Sequence, residues 1–220
     1  HTPTTEGTTV LLDDGETIET DLVVISVGRR PYPDLLGLEK DSIKKDERGF
    51  VPVNQVCETT ASGIYAVGDL IDTPQLAHVA FAEAILVIKR ICGESVTPVD
   101  YSKVPWAIYC HPEVAFAGLS ESEAIEAGYE VEVSKHRYSG NGRAMIVGET
   151  DGLIKVVAEK LPDGNLGQIL GVHMVGPWVT EQIGQGYLAV NWEATVSEVS
   201  QFVQPHPTLS ELFGETVMSL

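Results

Sequence analysis

The chain has 220 residues, of which 43% are hydrophobic, so it is long enough to bury a core in one large domain or in parts of two or three. Its formal net charge is −18 and its fourteen lysines and arginines are scattered, which excludes the basic surface that a nucleic-acid backbone requires. The longest apolar run, Leu76 to Ile88, is interrupted by His78 and Glu83 and is shorter than the roughly 20 residues that cross a bilayer. Neither nucleic acid nor a membrane is therefore an expected partner.

The cysteines and the first residue bear on the setting of the protein. Cys57, Cys92 and Cys110 are odd in number and widely spaced, which argues against a disulfide framework and against a zinc site built on thiolates. This pattern predicts a reducing, cytoplasmic setting and no metal. The chain opens at His1 with neither an initiator Met nor a targeting segment before strand-like sequence, so a truncated start is expected.

The opening of the chain predicts a hairpin followed by a buried strand. Asp13, Asp14 and Gly15 separate two short strand-like runs, and Asp-Gly tolerates the positive φ that tight hairpin turns need. The run Leu22 to Val27 is apolar almost throughout and rich in Val and Ile, which predicts a strand buried on both faces of a parallel sheet. Gly28 is expected to end this strand.

A second strand and a long helix are predicted next. The strand covers Ile64 to Val67 and ends in Gly68-Asp69. Pro74 suits the first position of a helix, where no N–H is needed, and the helix is predicted to run to Cys92. Because its apolar residues occur nearly all round, this helix is expected to be buried between layers. Gly93 is expected to end it.

Beyond Tyr101 the pattern changes to that of a separate α+β domain. Ser120 and Glu123 have the spacing of a capping box at the start of a helix that Gly128 is expected to close. Alternating strands follow, as in an antiparallel meander, and then three helices. The predicted strands are Glu130 to Tyr138, Leu153 to Glu159 and Gln168 to Val175, and the predicted helices are Thr180 to Asn191, Thr195 to Phe202 and Thr208 to the end.

Two groups of residues beside the long helix are candidates for ligand binding. Gly68 and Asp69 follow a strand at its carboxyl end, where ligands of open α/β sheets sit, and a carboxylate there can accept two hydrogen bonds from a polyol. A turn that merely ends the strand explains the same residues and is favoured on local sequence alone. The first helical turn has free N–H groups that favour negative charge, and it contains Gln75, Leu76, Ala77 and His78.

The candidate catalytic residues lie near the C-terminal end. Pro207 forces His206 out of the helical region, and Thr208 is expected to cap the helix that follows. Glu211 falls in the first helical turn, where its carboxylate can fold back on the imidazole and fix its tautomer. Thr208 and Glu211 also have capping-box spacing, which alone would explain the acid. The sequence leaves both interpretations open.

Two further patterns are given little weight. Gly184 and Gly186 match a G-x-G-x-x-A dinucleotide fingerprint, but no strand precedes them, so close helix packing is the favoured interpretation. Cys110, His111 and Glu113 lack a second pair of ligands at a suitable spacing, so they are interpreted as loop residues rather than a metal cluster.

Several motifs then occur together in a familiar order: Val27-Gly28-Arg29-Arg30-Pro31, Gly63 to Asp69 (GIYAVGD), Gln75 to His78 (QLAH), Cys110 to Val114 (CHPEV) and His206 to Glu211 (HPTLSE). Over essentially the whole chain they resemble the pyridine nucleotide-disulfide oxidoreductases, a family of flavoproteins. HPTLSE together with GRRP resembles the dihydrolipoamide dehydrogenases more than the glutathione or mercuric reductases. Glutathione reductases usually carry Ser where Leu209 stands.

The resemblance implies a fold in three segments. Residues 1–30 would be the end of a Rossmann-like NAD-binding domain, and residues 31–102 the second part of an FAD-binding domain. Residues 103–220 would be an α+β dimerisation domain with an antiparallel sheet. The implied fold class is therefore α/β followed by α+β.

The resemblance also implies cofactors and residue roles. Gly28 would lie beside the NAD, Asp69 would hold the ribityl chain of FAD next to Gly68, and Gln75 to His78 would line the flavin. His206 would be the acid–base catalyst and Glu211 its orienting partner. In a homodimer, the histidine would reach the flavin and disulfide of the other subunit.

The implied activity is oxidation of a dihydrolipoyl group, with electrons passing through a redox disulfide and FAD to NAD. The group would be carried by the lipoyl-bearing subunit of a 2-oxo acid dehydrogenase complex or of the glycine cleavage system. Both G-x-G-x-x-G motifs and the redox C-x-x-x-x-C are absent, so this chain alone is expected to be inactive. Ala84 stands where the family usually has Gly. The alternatives are a non-catalytic dimerisation module and a related disulfide reductase such as glutathione or mercuric reductase.

Overall fold

The computed structural model describes residues 2–4 and 7–220, and the expectation about His1 lies outside them. The chain forms two compact units, one ending at Glu94 and one from Ser95 to Leu220, and each is described by itself. No helix in the described ranges combines the length and apolar character that crossing a lipid bilayer requires.

The first unit opens with an antiparallel sheet in the order β1-β2-β3, formed by Thr2–Thr4, Gly7–Leu11 and Thr17–Thr20. Val10 faces Ile18 in the register of β2 and β3. Gly15 adopts a φ of +89° in the turn between them, and the Asp14 carboxylate accepts from the backbone N–H of Glu16. The predicted hairpin is confirmed.

Two predicted strands of this unit are wrong, the buried parallel strand at Leu22 to Val27 and the short strand at Ile64 to Val67. The segment from residue 22 to residue 27 forms no strand, and its apolar side chains are between 43% and 90% exposed. The segment Ile64 to Val67 is extended but makes a single bridge, between Glu58 and Tyr65. A buried parallel strand needs hydrogen-bonding neighbours on both edges and apolar cover on both faces, and the described residues supply neither here.

A helix, α1, extends over Ala77–Ile91. It begins later than predicted because Leu76 is still extended, with φ −129° and ψ 133°. Gly93 ends it as predicted, with φ +81° and an N–H that donates to the Arg90 carbonyl. The expected burial on all sides is wrong, because the helix has one buried face and one bare apolar face. The buried residues are Val79, Glu83, Leu86 and Val87, and the exposed apolar ones are Phe81, Ile85, Ile88 and Ile91.

The second unit is built on an antiparallel sheet in the order β4-β5-β8-β7-β6, which confirms the predicted meander. Helix α4 packs on β5 and β8, and α6 packs on β6 and β7. The strands are Trp106–Ile108 (β4), Glu113–Gly118 (β5), Val131–Arg137 (β6), Leu153–Lys160 (β7) and Leu166–Gly176 (β8). The helices are Glu121–Glu126 (α2), Gly142–Val147 (α3), Val179–Asn191 (α4), Val196–Val199 (α5) and Glu211–Met218 (α6).

Capping explains where several of these helices start. The Ser120 hydroxyl accepts from the Glu123 N–H while the Glu123 carboxylate accepts from the Ser120 N–H, so the predicted capping box of α2 is confirmed. Thr195 and Glu198 form a second box at α5, which is shorter than predicted and ends at Val199.

One face of the sheet and the helices α4 and α6 enclose the core of this unit. Gly186 sits where α4 crosses β8, and a Cβ built there would lie 2.9 Å from the Val172 side chain. This close approach fits the helix-packing interpretation at Gly186, whereas nothing lies within 4 Å of a Cβ built at Gly184.

The opposite face of the sheet carries stacked rings. Ring centroids are 5.6 Å apart between Trp106 and Phe116 and 5.9 Å apart between Phe116 and His173. His173 Nε2 lies 3.0 Å from the Leu119 carbonyl oxygen. Burial lowers the pKa of His173 below its ordinary value, more than the bond to Leu119 raises it.

Candidate active site

His206 lies on an exposed loop between α5 and α6, and its side chain is 77% exposed. Its Nδ1 atom is 2.7 Å from Oε1 of Glu211, the first residue of α6. The Glu211 side chain is only 17% exposed, so an immobile carboxylate holds a solvent-facing imidazole. The contact that the sequence left open is present.

Glu211 uses its second oxygen for the backbone. Oε2 accepts from the N–H of Thr208 at 2.8 Å, and the Thr208 hydroxyl donates to the Pro205 carbonyl at 2.7 Å. Thr208 therefore does not cap α6, and this prediction is wrong: Ser210 occupies the N-cap position without a side-chain cap, because the threonine hydroxyl is engaged within the loop. One oxygen of Glu211 therefore contacts the imidazole, and the other makes only the backbone half of a capping box.

The charge state of Glu211 follows from these bonds. The Thr208 N–H, and after it the His206 imidazole, lower the pKa of the Glu211 carboxyl below its usual range. An ionised carboxylate only accepts hydrogen bonds, so Nδ1 of His206 must carry a proton. In the neutral imidazole, Nε2 then holds the free lone pair and can act as a base toward whatever approaches from solvent.

In the first unit, Gly68 and Asp69 open a short 3₁₀ turn that ends at Leu70. Gly68 has a φ of +71°, and a Cβ built there would lie 3.2 Å from the Ala80 side chain, so a larger residue would be both strained and crowded. Asp69 is exposed, and its carboxylate has no hydrogen-bond partner among the described residues. That carboxylate is available to a hydroxylated ligand.

Glu83 is a residue of this region that the sequence analysis missed. It is fully buried in α1 and accepts from the Gly68 N–H at 2.6 Å and from the Thr73 hydroxyl at 2.8 Å. It thereby ties the turn that carries Asp69 to the helix. An acid in an otherwise apolar helix was the available signal, because a buried carboxylate needs hydrogen-bond donors.

The start of α1 fits a ligand with negative or acceptor character. Leu76, the N-cap residue, provides no side-chain cap, and the positive end of the helix dipole lies here. Ala77 and His78 are exposed. The Gln75 Nε2 atom is buried and has no partner among the described residues, as expected if a bound group supplies the acceptor. These features fit a flavin.

Gly28 makes no contact with the other candidate cofactor-binding residues described in its unit. It has a φ of +107°, and nothing lies within 4 Å of a Cβ built at that position. No hydrogen bond or ion pair in the described part of the chain links it to Asp69 or to Gln75. Its proposed place beside NAD stays a prediction.

The Cys110 to Glu113 segment lines a cavity of about 330 Å³ in the second unit. The Glu113 carboxylate accepts from the Thr180 N–H and hydroxyl, at 3.1 Å and 2.7 Å, and so anchors the first turn of α4. Among residues 2–4 and 7–220, no three His, Cys, Asp or Glu side chains are grouped so that they could hold a metal ion.

The second unit thus carries an exposed His206 imidazole, held by the half-buried Glu211 carboxylate, on a domain built around an antiparallel sheet. Residues 104–217 match the family described as pyridine nucleotide-disulphide oxidoreductase, dimerisation domain, and residues 2–84 match the pyridine nucleotide-disulphide oxidoreductase family. The chain belongs to this family.

Within this family, the chain is similar to dihydrolipoyl dehydrogenases from several organisms. The chain is 42% identical over 208 residues to the dihydrolipoyl dehydrogenase of Bacillus subtilis, covering 94% of this chain and 43% of the relative. It is 40% identical to the mitochondrial dihydrolipoyl dehydrogenase of Canis lupus familiaris, covering 91% of this chain and 38% of the relative. The crystal structure of LpdA from Mycobacterium tuberculosis superposes with a TM-score of 0.89 at 27% identity, covering 98% of this chain and 46% of that one. The chain thus spans less than half the length of these relatives.

Proposed function

We propose that this chain is part of a dihydrolipoyl dehydrogenase, a homodimeric flavoprotein that oxidises protein-bound dihydrolipoamide and reduces NAD. The observation that carries the proposal is the 2.7 Å pairing of an exposed His206 with Glu211, in a chain about 40% identical to enzymes of that name. The lipoyl-bearing subunit of a 2-oxo acid dehydrogenase complex or of the glycine cleavage system is the proposed substrate carrier.

The chemistry assigned to this chain is a proton transfer. Nε2 of His206 accepts the proton from one thiol of the dihydrolipoyl group, which becomes a thiolate. The thiolate attacks a disulfide sulfur, so that one S–S bond forms and another breaks. Glu211 stabilises the imidazolium that results, since it lies against Nδ1 as a carboxylate.

The cofactors have proposed places in the first unit. Asp69, with Gly68 beside it, would hold the ribityl chain of FAD, while Gln75 to His78 would line the flavin ring. FAD, when bound, would supply the electron transfer from the reduced disulfide to NAD. Glu83 would keep the Asp69 turn in place, because it accepts hydrogen bonds from Gly68 and Thr73.

Two observations support a dimer. The second unit matches the dimerisation domain of the family over residues 104–217. Its surface also exposes large apolar side chains, among them Trp178, Trp192, Phe202 and Val203, which is 97% exposed. A module that only dimerises fits less well, because residues 2–84 match the redox family as well. The cytoplasmic location predicted from the cysteines stays a prediction.

The test is His206→Gln in the full-length protein. We expect dihydrolipoamide oxidation to fall by roughly 100-fold or more, while NADH-dependent dye reduction stays near the wild-type rate because it needs no thiol proton. His136→Gln is the matched control, since it makes the same substitution in the same unit, outside the loop of His206. Dithiol oxidation within about twofold of wild type in His206→Gln, or an equal loss of both activities, would contradict the assignment.

A further inference from the structure

A buried asparagine in the second unit contacts the loop that carries His206. Asn141 is only 2% exposed and stands at the N-cap of α3. Its Oδ1 accepts from the Ala144 N–H at 2.9 Å, and its Nδ2 donates to the Thr208 carbonyl at 3.0 Å. One amide group therefore caps a helix and also binds a residue 67 positions further along the chain.

Asn141 is itself fixed to the core. Its backbone N–H donates to the carbonyl of Tyr138, which is fully buried. The Tyr138 hydroxyl donates to Oε1 of Gln182, and Nε2 of Gln182 donates to the Pro177 carbonyl. Asn141 is thus a rigid attachment point rather than a mobile surface residue.

From this point the hydrogen bonds continue to the imidazole. Asn141 holds the Thr208 carbonyl, and the Thr208 N–H donates to Oε2 of Glu211. Oε1 of the same carboxylate holds Nδ1 of His206. The carboxylate therefore has Thr208 as one of its two anchors, and Thr208 is held in turn by Asn141 at its carbonyl and by its own hydroxyl bond to the Pro205 carbonyl.

We propose that Asn141 is a positioning residue for His206: it orients Thr208 so that Glu211 stays locked against the imidazole. The inference rests on the proposed acid–base function of His206 and adds a residue outside the HPTLSE motif. Leu209, which is 6% exposed, also anchors this loop through apolar contact. Apolar packing fixes position but is not directional, whereas the bond from Asn141 fixes the direction of the Thr208 carbonyl and so restricts the backbone that carries the Thr208 N–H.

The first test is Asn141→Ser, a substitution that keeps the helix cap and removes only the bond to Thr208. A serine hydroxyl can still cap α3 but is too short to reach the Thr208 carbonyl. In the full-length holoenzyme we expect kcat for dihydrolipoamide oxidation to fall about five- to tenfold, the equivalent of one net hydrogen bond. We expect KM to stay within about twofold, because Asn141 does not touch the substrate. NADH-dependent dye reduction should not change.

A second variant and a structural measurement make the test independent of one substitution. Asn141→Asp keeps the cap of α3 but turns an acceptor toward the Thr208 carbonyl, so its loss of kcat should be at least as large. Amide hydrogen exchange in residues 205–211 should be faster in both variants than in wild type. The control is Ser120→Ala, which removes a helix cap of similar value in the same unit, and its hydrogen bonds stay within residues 120–123.

The ratio of dithiol oxidation to dye reduction is measured within each preparation, so partial unfolding lowers both rates and leaves the ratio unchanged. A ratio within about twofold of wild type in both Asn141 variants overturns the proposal. A normal ratio in His206→Gln overturns the proposed function instead. A reduced ratio in both Asn141 variants, with a normal ratio in Ser120→Ala, supports the positioning role.

Discussion

Replacing Glu211 with glutamine removes a charge at a position where two oxygens are both needed as acceptors. Oε1 faces Nδ1 of His206 at 2.7 Å, and Oε2 faces the N–H of Thr208 at 2.8 Å. A glutamine offers one oxygen and one NH₂ group. With the NH₂ group toward Thr208, a donor faces a donor; with the NH₂ group toward Nδ1, the imidazole must move its proton to Nε2, which can then no longer act as the base. The remaining bond is also no longer charge-assisted.

The size of the effect follows from that exchange. A hydrogen bond to a charged group contributes about 1–2 kcal/mol more than a neutral one, which corresponds to about 5- to 30-fold in rate. Because the His206 side chain is 77% exposed, solvent screening places the expected loss near the lower end of that range. Exclusion of water from the imidazole by a partner surface would increase it.

The assay is dihydrolipoamide oxidation by the full-length protein, with NADH-dependent dye reduction as the internal reference. Glu215→Gln is the matched control, since it makes the same substitution one turn further along α6. We expect the ratio of the two rates to fall in Glu211→Gln and to stay constant in Glu215→Gln. A change below about twofold in a folded Glu211→Gln protein would refute the idea that the carboxylate orients the base.

Two further predictions concern stability. Burial lowers the folded-state pKa of His173, so the unfolded chain binds the proton more readily, and the stability present above pH ~6.5 should be lost as pH falls toward the folded pKa. His173→Phe keeps a ring against Phe116, and its thermal midpoint should fall less over that pH range than that of wild type. Equal dependence of the two midpoints on pH would contradict a role for His173. In Glu83→Gln, the buried side chain can accept only one of the bonds from the Gly68 N–H and the Thr73 hydroxyl, so we expect a loss of ~1–3 kcal/mol in unfolding free energy. FAD should also be released at a lower temperature, which flavin fluorescence measures. An unchanged release temperature would show that Glu83 does not support the turn at Gly68.

Local features of the fold could be predicted from the sequence. The hairpin at Asp13 to Gly15, the capping box of Ser120 and Glu123 and the end of α1 at Gly93 each depend on a few neighbouring residues. Their physical causes, positive φ and reciprocal N–H bonding, are contained in those residues themselves. The structure accordingly confirms them close to the predicted positions.

Features that depend on distant partners could not be predicted. The run from residue 22 to residue 27 has the composition of a buried strand but no strand beside it in the described chain. The role of Asn141 depends on Thr208, 67 residues away, and nothing around Asn141 indicates that pairing. For Glu211 the sequence offered a capping box and a contact with His206 as alternatives, and the carboxylate makes the imidazole contact with one oxygen and only the backbone half of the box with the other.

The solvent-facing but immobilised imidazole of His206 has a consequence for assembly. Its orientational entropy is already lost when its own unit folds, because the carboxylate of Glu211 aligns Nδ1 before any other surface arrives. A surface that docks here would then only have to come within reach of the imidazole, and neither the His206 loop nor that surface would need to rearrange on contact. Such a site would switch on in a single step with association, and its activity would track the fraction of associated protein rather than a slower conformational change.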